Sequence, residues 1–354
     1  MKLAIEINQE NLENLINICS GLFYPLRGFM CSRDCHRVID SMTLSDGSIW
    51  TIPITLDVGH DLFIKAVDSD RLYLQFQGDE VAYMKIEDCY RIDPSDILKI
   101  YGTQDPNHPG IKKEAIRSVY RVGGEVVLLN RHLLSTFIDP EKTREVFQKK
   151  GWRTVVGFQT RNPIHKAHEY IHRACLEQCD ALFINPVVGW KRPDDFSEEA
   201  IKVSYSAMIE NYYPKNRVHF EFLKMPTRYA GPRDAIFHAI IRKNLGCTHF
   251  VIGRDHGGVG AFYTPYQAHE LAIALQKKQG LGIELLLFKE PYHCTKCGFV
   301  VTEKHCACGE KYKISISGTK IRTMLKEDKR PDEIFMRQDI ADAILALGDR
   351  MFVS

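Results

Sequence analysis

The chain has 354 residues, a length that suits two or three domains better than a single hydrophobic core. Hydrophobic residues make up 44% and charged residues 26% of the sequence, which is typical of a globular protein in water. A formal net charge of +2 argues against binding to nucleic acid or to an anionic membrane, and no apolar run reaches membrane-spanning length.

Short alternating runs of apolar and polar residues fill the first part of the chain. The strand candidates are separated by Asp, Ser and Gly, and they are Leu62–Val67, Leu72–Phe76, Val81–Ile86 and Gly123–Leu129. This pattern predicts a mostly β domain over residues 1–150, with some helix at its beginning. The polar segment 139–144 and the bend at 149–151 mark its expected boundary.

From Gly151 onward, apolar strands alternate with helices. The strand candidates are Thr154–Phe158, Leu182–Val187, Val218–Phe222, His249–Ile252 and Glu284–Phe288. Helical patterns near 163–179, 196–212, 232–244 and 265–278 fill the gaps between them. Five apolar strands joined by helices predict a fold of the α/β class, with a doubly wound parallel sheet over residues 151–290. In such a sheet, ligands bind beyond the carboxyl ends of the strands.

The segment directly after the first of these strands reads Q-T-R-N-P-I-H-K-A-H. Asn162 is predicted to be the N-cap of the next helix, with Pro163 at its first position, where a missing N–H costs nothing. Such a turn presents free backbone N–H groups and the positive end of a helix dipole. Arg161 offers a permanent charge with paired donors, and His165 and His168 share one helix face. The segment therefore predicts a site for polyphosphate and for a second anion.

A second polar loop, G-R-D-H-G-G-V-G, follows the fourth strand candidate and begins at Gly253. Arg254 and His256 offer charge, while Gly257 leaves the backbone free to wrap around a nucleotide. Asp255 is expected to hold Arg254 or to cap a helix. Both polar motifs directly follow a strand, which is where a parallel sheet places its ligands.

Other polar side chains near strand ends are weaker candidates for ligand contacts. They are Lys191, Arg192, Asp194, Asp195, Arg228, Arg233, Ser317, Thr319 and Arg322. The first four lie in a loop that could close over a nucleotide, although a solvated loop is the default interpretation. The last three echo an I-S-x-T-x-x-R phosphate-binding signature, with an ordinary N-cap and a surface arginine as the alternative.

A cysteine cluster lies in the third segment, residues 291–354, and its spacing predicts a structural zinc site. The expected ligands are Cys294, Cys297, Cys306 and Cys308. Because the second pair is C-x-C, the fourth ligand stays open, and His305, His293 or a residue beyond Gly309 could replace Cys308. The metal is expected to stabilise the fold of a segment that is too short to form a hydrophobic core of its own. With no secretion signal at the amino terminus, the remaining cysteines are expected to be reduced thiols in a cytoplasmic protein.

These motifs together resemble the ATP sulfurylase family. H-x-x-H after a strand is typical of nucleotidylyltransferases in general, but Q-T-R-N-P-x-H-x-x-H is a much narrower pattern. Further matching segments are P-L-R-G-F-M near residue 25, W-T-I-P-I near 50, A-G-P-R-D-A near 230 and I-S-G-T-K-I-R near 316. The chain has no G-x-x-x-x-G-K-[ST] motif. The resemblance is therefore to the single-function prokaryotic type, which has no fused kinase domain.

The resemblance implies a sulfate adenylyltransferase, in which sulfate attacks the α-phosphorus of ATP in line and expels pyrophosphate, leaving adenylyl sulfate. The residues expected to bind substrate are Gln159, Thr160, Arg161, Asn162, His165, His168, Gly253, Arg254, Asp255, His256 and Gly257. Those expected to be catalytic are Arg161, Asn162, His165, His168 and Arg254. The position of Gly257 is commonly Ala in the family. The resemblance also implies a PUA-like N-terminal domain, Mg²⁺ with ATP, structural Zn²⁺ and a homodimer.

Two other functions compete with this interpretation. Another H-x-x-H nucleotidylyltransferase would act on a phosphorylated acceptor, but that group lacks the Q-T-R-N extension. A zinc-containing nucleic-acid-binding protein would fit the β-rich start and the cysteine cluster. The near-neutral charge and the lack of an aromatic and basic patch weigh against it.

Overall fold

The computed structural model describes residues 2–189, 195–278 and 280–353. The chain divides into two compact units, and neither is continuous in sequence. Unit 1 comprises Met1–Val146, Lys224–Gly246 and Asp255–Leu285, and unit 2 comprises Phe147–Leu223, Cys247–Arg254 and Leu286–Ser354. The three-domain organisation with boundaries near residues 150 and 290 stays a prediction.

The described residues form helices and strands that are numbered here in chain order. The helices are α1 Gln9–Cys19, α2 Ser32–Ser41, α3 His60–Val67, α4 Pro94–Tyr101, α5 Pro109–Ala115, α6 Pro140–Lys149, α7 Lys166–Gln178, α8 Glu198–Asn211, α9 Pro232–Asn244, α10 Gln267–Lys277, α11 Gly318–Lys326 and α12 Gln338–Leu345. The strands are β1 Ala4–Glu6, β2 Gly28–Phe29, β3 Leu56–Asp57, β4 Arg71–Phe76, β5 Asp79–Lys85, β6 Asp88–Arg91, β7 Tyr120–Leu128, β8 Val155–Phe158, β9 Ala181–Ile184, β10 Val187–Val188, β11 Val218–Phe220, β12 Leu223–Lys224, β13 His249–Ile252, β14 Glu284–Leu287, β15 Tyr292–Cys294, β16 Phe299–Val301 and β17 Lys313–Ser315.

Unit 1 is built on a seven-stranded sheet. Its order is β1-β4-β5-β7-β2, and β3 and β6 also pair with β7. Apart from the parallel pair β1 and β4, the pairs in this sheet are antiparallel. The predicted β-rich N-terminal region is confirmed, including strands close to the candidates at 72–76, 81–86 and 123–129.

The strand predicted at Leu62–Val67 is wrong, because this segment forms α3. The Phe63 N–H donates to the carbonyl of Gly59 at 2.9 Å, which closes the first helical turn. Ile64 and Val67 point outward with 54% and 58% exposure, whereas Ala66 is buried. A strand would place residues 64 and 66 on one face. The short apolar run fits either period, and the backbone bonds decide for the helix.

Unit 2 contains a five-stranded sheet of order β11-β9-β8-β13-β14. The β8 strand is central, and its pairs with β9 and β13 are parallel, as is that of β9 with β11. The chain therefore winds outward in two directions from β8, which confirms the predicted doubly wound α/β fold. Each residue of β8 and β9 is buried, which explains why these strands read as continuous apolar runs.

The predicted strand Leu182–Val187 is two strands in the structure. β9 ends at Ile184, and β10 pairs with β12 in a separate two-stranded sheet. Pro186 lies between them, and a proline has no N–H to continue a ladder.

The core of unit 2 joins the central strand to its helices. Phe158 of β8 packs with Ile171 of α7, Met208 of α8 and Ile344 of α12 in one buried cluster. Burying a side chain of this size stabilises the fold by roughly 1.5–3 kcal/mol. The start of α7 is therefore held in place by packing from several elements.

Candidate functional site

The carboxyl ends of β8 and β13 lie side by side in unit 2. These strands pair in parallel, with His249 opposite Val156 and Phe250 opposite Gly157. The Q-T-R-N segment leaves the end of β8, and Gly253 and Arg254 leave the end of β13. The first candidate motif and the first two residues of the second are thus brought to one edge of one sheet.

Helix α7 begins later than the sequence predicts. Its first residue is Lys166, and its N-cap is His165, so the prediction of Asn162 as N-cap and Pro163 as first helical residue is wrong. The Asn162 N–H donates to Thr160 Oγ1 at 3.0 Å, and the Ile164 N–H donates to Ser204 Oγ at 3.3 Å. These bonds hold the segment in a non-helical path up to His165.

Several backbone N–H groups that were expected to be free are used within the chain. The Lys166 N–H donates to the carbonyl of Phe335 at 2.8 Å. The His168 N–H donates to Nδ1 of His165 at 3.4 Å. The expected row of free amides is therefore wrong at these two positions.

The two motif histidines form a stacked pair. The ring centroids of His165 and His168 are 3.7 Å apart, with an interplanar angle of 23°. Burial lowers the pKa of His165 to about 4. Burial also lowers the pKa of His168 well below its usual value, and the neighbouring histidines add to this effect. Both rings are therefore neutral near pH 7, and each can donate one N–H.

A third motif converges on Asn162 from the C-terminal part of unit 2. Arg322 Nη2 lies 3.4 Å from Asn162 Oδ1 and 3.4 Å from Asp195 Oδ1. Ser317 caps α11, and a Cβ at Gly318 would lie 3.2 Å from the Asn162 amide nitrogen. The buried Arg322 Nε has no hydrogen-bond partner among the described residues. The I-S-x-T-x-x-R segment thus adds a cationic donor beside the first motif, while Thr319 is exposed.

The other first-motif and strand-end side chains differ in exposure. Arg161 and Arg254 are exposed, and Arg254 Nε lies 3.6 Å from Glu290 Oε2. Thr160 is buried, and the buried Gln159 Oε1 has no hydrogen-bond partner within the described chain. Exposed guanidinium groups and an unsatisfied buried amide oxygen at one sheet edge suit a polar ligand.

Asp255, His256 and Gly257 belong to unit 1 and are described within it. His256 Nε2 lies 3.2 Å from His238 Nδ1, and His238 Nε2 lies 3.5 Å from Asp234 Oδ1. Asp234 and His238 are buried on α9, so a buried imidazole contacts the loop histidine and a buried carboxylate lies beside that imidazole. The sequence analysis gave no role to His238, although its spacing of four from Asp234 on a helix was a usable signal.

The structure explains the glycine at position 257. Its φ is +74°, and a Cβ there would lie 2.6 Å from the carbonyl oxygen of Gly231 and 2.8 Å from Asp234 Cβ. An alanine would require the loop or α9 to shift. The close contacts and the positive φ therefore favour glycine at position 257 of this chain.

Two weaker candidates, Arg228 and Arg233, make structural contacts in unit 1. Arg228 donates to Glu10 at 3.1 Å and to Asn14 at 2.6 Å. Arg233 donates to the carbonyls of Val38 and Ile39 at the end of α2. Their expected phosphate contacts stay predictions. Three further candidates, Lys191, Arg192 and Asp194, lie outside the described residues.

A buried carboxylate beside the histidine pair was missed by the sequence analysis. Glu169 accepts two hydrogen bonds from Arg337, at 2.9 and 2.6 Å, and one from Arg173 at 2.9 Å. Burial alone raises the pKa of Glu169, but the bonds from Arg337 and the charge of Lys166 outweigh it and lower the pKa. This network ties the start of α7 to the segment before α12.

The four predicted metal ligands form one cluster in unit 2. The sulfur atoms of Cys294, Cys297, Cys306 and Cys308 all lie within 4.8 Å of one another. Cys297 Sγ is 3.8 Å from Cys306 Sγ and 3.5 Å from Cys308 Sγ. Zinc–sulfur bonds of about 2.3 Å in a tetrahedron require sulfur pairs about 3.8 Å apart, so the residues fit such an ion. The cluster could hold a metal ion.

The alternative ligand His305 is engaged elsewhere. Its Nδ1 lies 3.2 Å from Thr302 Oγ1, and its ring stacks on Tyr170 at a centroid distance of 5.9 Å. Cys308 is therefore the better fourth ligand on geometry.

Comparison with known protein families identifies the chain. A model described as ATP-sulfurylase matches residues 135–346, and a model described as a PUA-like domain matches residues 2–131. The chain belongs to the ATP sulfurylase family. The predicted family, its nucleotidyltransferase class and the PUA-like N-terminal region are thereby confirmed.

Curated relatives cover most of this ATP sulfurylase family chain. The sulfate adenylyltransferase of Staphylothermus marinus is 43% identical over 98% of the chain and 91% of the relative. That of Pyrococcus abyssi is 42% identical over 99% of the chain and 91% of the relative. That of Carboxydothermus hydrogenoformans is 38% identical over 97% of the chain and 91% of the relative.

A solved structure supports the fold. The chain is similar to the hexameric APS kinase from Thiobacillus denitrificans, with a TM-score of 0.71 at 20% identity. The match covers 98% of this chain and 63% of that chain. Within residues 2–189, 195–278 and 280–353, no helix combines the length and the apolar character needed to cross a membrane.

Proposed function

We propose that this chain is a sulfate adenylyltransferase whose reaction takes place at the carboxyl ends of β8 and β13. A sulfate oxygen forms a bond to the α-phosphorus of ATP, and the bond from that phosphorus to pyrophosphate breaks. The products are adenylyl sulfate and pyrophosphate, and the reaction is reversible. The observation that carries this proposal is the arginine-bearing Q-T-R-N segment, which leads directly into a stacked histidine pair at the central strand.

The positive side chains reduce the repulsion between two anions. We assign Arg161 and Arg254 to contacts with sulfate and the α-phosphate, because both guanidinium groups are exposed at the strand ends. Gln159 and Asn162 donate neutral hydrogen bonds to the same oxygens, and Thr160 shapes the turn. Since the protein forms no bond to the phosphoryl group, catalysis depends on positioning and charge stabilisation.

The histidine pair stabilises the leaving group. Neutral His165 and His168 each donate one N–H to phosphate oxygens as charge grows on pyrophosphate. Gly253, Asp255, His256 and Gly257 are assigned to the nucleotide by resemblance to the family. The support for His256 in unit 1 is its bonding to His238, which fixes the ring.

The remaining assignments follow from family and composition. ATP enters as its magnesium complex, and Mg²⁺ takes phosphate and water ligands, so no protein cage is needed. The cysteine cluster holds Zn²⁺, the protein is cytoplasmic, and two copies form a homodimer. We divide the chain into a β-rich domain, 1–150, a catalytic domain, 151–290, and a zinc-stapled segment, 291–354.

The proposal is tested by pyrophosphate release from Mg-ATP, with and without sulfate. Release should depend on sulfate in the wild type, and Arg161→Ala should lower kcat/KM at least about 100-fold, since it removes a charged donor from the transition state. Arg153→Ala is the matched control, because Arg153 is an exposed arginine just before the other end of β8. Release that is independent of sulfate would overturn the assigned acceptor.

A further inference from the structure

A buried tyrosine on α8 lies against the second motif histidine. Tyr205 is 0% exposed, and its hydroxyl lies 3.4 Å from Nδ1 of His168. Burial raises the pKa of Tyr205, so the phenol keeps its proton throughout the physiological range. A buried hydroxyl away from water must donate that proton to a neighbour.

The neighbours of Tyr205 indicate the direction of this bond. Thr160 is the other polar neighbour of Tyr205. Its Oγ1 accepts from the Asn162 N–H at 3.0 Å and donates its own proton to the Asn162 carbonyl at 3.3 Å, so this proton is used within the Q-T-R-N turn. Within the described residues, the hydrogen bond of the Tyr205 hydroxyl is the one with His168 Nδ1, and this nitrogen is therefore the acceptor of the tyrosine proton.

The first histidine has the same protonation pattern for an independent reason. The backbone N–H of His168 can only donate, so His165 Nδ1 must accept. The proton of a neutral His165 ring is then on Nε2. The tautomer of an imidazole is set by the bond at its other nitrogen.

We propose that Tyr205 is a positioning residue that donates to His168 Nδ1 and fixes the Nε2–H tautomer of that ring. The stacked pair then offers two parallel neutral donors of the same kind. This inference deepens the proposed function and rests on it for the catalytic consequence. The tautomer itself is a property of the protein and can be measured without any reaction.

A second tyrosine provides a matched control. The Tyr213 hydroxyl lies 2.7 Å from Nδ1 of His172, which is fully buried one turn further along α7. Tyr213→Phe therefore removes the same hydroxyl from the same ring atom of a histidine that has no proposed contact with substrate. Tyr205→Phe and Tyr213→Phe thus remove the same chemical group from two different histidines of α7.

The experiment reads the protonated ring nitrogen by NMR of protein labelled with ¹⁵N-histidine, with the His168 signals assigned by loss in His168→Gln. In the wild type, the proton of His168 should be on Nε2, and Tyr205→Phe should introduce a population with the proton on Nδ1. Tyr205→Phe should also lower kcat by roughly 10- to 100-fold, the usual effect of losing the partner that orients a functional histidine. KM for ATP should change little, since the lost interaction acts in the transition state. Tyr213→Phe should leave the His168 spectrum and kcat unchanged.

Two results would overturn the proposal. One is a wild-type His168 with its proton on Nδ1, which requires no variant to detect. The other is a Tyr205→Phe protein with an unchanged His168 spectrum and unchanged kcat. If the wild type shows the predicted tautomer but releases no pyrophosphate with sulfate, the proposed function fails while the tyrosine assignment stands.

Discussion

At the scale of single residues, the histidines on α7 differ in what the sequence reveals about them. His165 and His168 stand in a narrow motif, so their candidate role was predictable. Tyr205 could not be predicted, because its hydroxyl reaches His168 across 37 positions of sequence and its surroundings on α8 carry no motif. His172 lies in the core, where its Nε2 has no hydrogen-bond partner in the described chain.

Buried histidines are expected to make this protein sensitive to acid. Burial lowers the pKa of His172 to about 3, from an unfolded value of 6.5. Its neutral state stabilises the fold fully above pH 6.5, and this contribution is lost as the pH falls toward the folded pKa. At pH 5 the loss is about 2 kcal/mol, from about 1.4 kcal/mol per pH unit.

His172→Gln tests this, because glutamine keeps a polar group near Tyr213 but does not titrate. Urea unfolding at pH 8 and pH 5 should show a smaller loss of stability in His172→Gln than in the wild type. His60→Gln, at a histidine whose side chain is 60% exposed, serves as the control. Equal losses in all three proteins would show that His172 does not contribute to acid sensitivity.

At the scale of elements, strands that lie fully inside a sheet were the easiest to predict. β8 and β9 are buried throughout, and the predicted doubly wound parallel sheet of the α/β fold is observed. Amphipathic segments were harder to predict. Helix α3 was mistaken for a strand because its apolar residues fit both the helical period of 3.6 and the strand period of 2. The beginning of α7 was placed too early, since the side chain of Ser204, which holds Ile164, comes from a distant helix.

The hairpin of β15 and β16 is the element that we expect to depend most on a bound metal. Its small core contains Tyr292, Cys294 and Val301, and the remaining cysteines pack against it. Removal of the metal should lower the melting temperature by about 5–10 °C, since a few kcal/mol corresponds to about 2–4 °C per kcal/mol in a domain of 150–250 residues. The measurement is zinc content together with thermal unfolding, before and after chelation.

Matched cysteine variants separate the cluster from nonspecific effects. Cys297→Ser should abolish zinc binding and reproduce the loss of stability. Cys89→Ser, at a half-buried cysteine in unit 1, should change neither. If the protein loses its zinc and its melting temperature does not fall, the metal does not stabilise the fold.

At the scale of the whole molecule, the chain is a member of the ATP sulfurylase family and divides into two units, neither of which is continuous in sequence. Residues 224–246 and 255–285 group with the N-terminal region. A single sequence does not reveal this grouping, because these segments have the same strand and helix periods as their neighbours. The family itself was predictable, since its motifs are local strings at strand ends.

The most direct test of the central claim is formation of ATP from adenylyl sulfate and pyrophosphate. The reaction runs the proposed site backward and produces ATP only if the adenylyl group moves from sulfate to pyrophosphate. We expect magnesium-dependent ATP formation in the wild type and a rate at least about 100-fold lower in His168→Gln, which loses a donor to the pyrophosphate oxygens. Absence of ATP from a folded wild-type protein, or an unchanged rate in His168→Gln, would contradict the account.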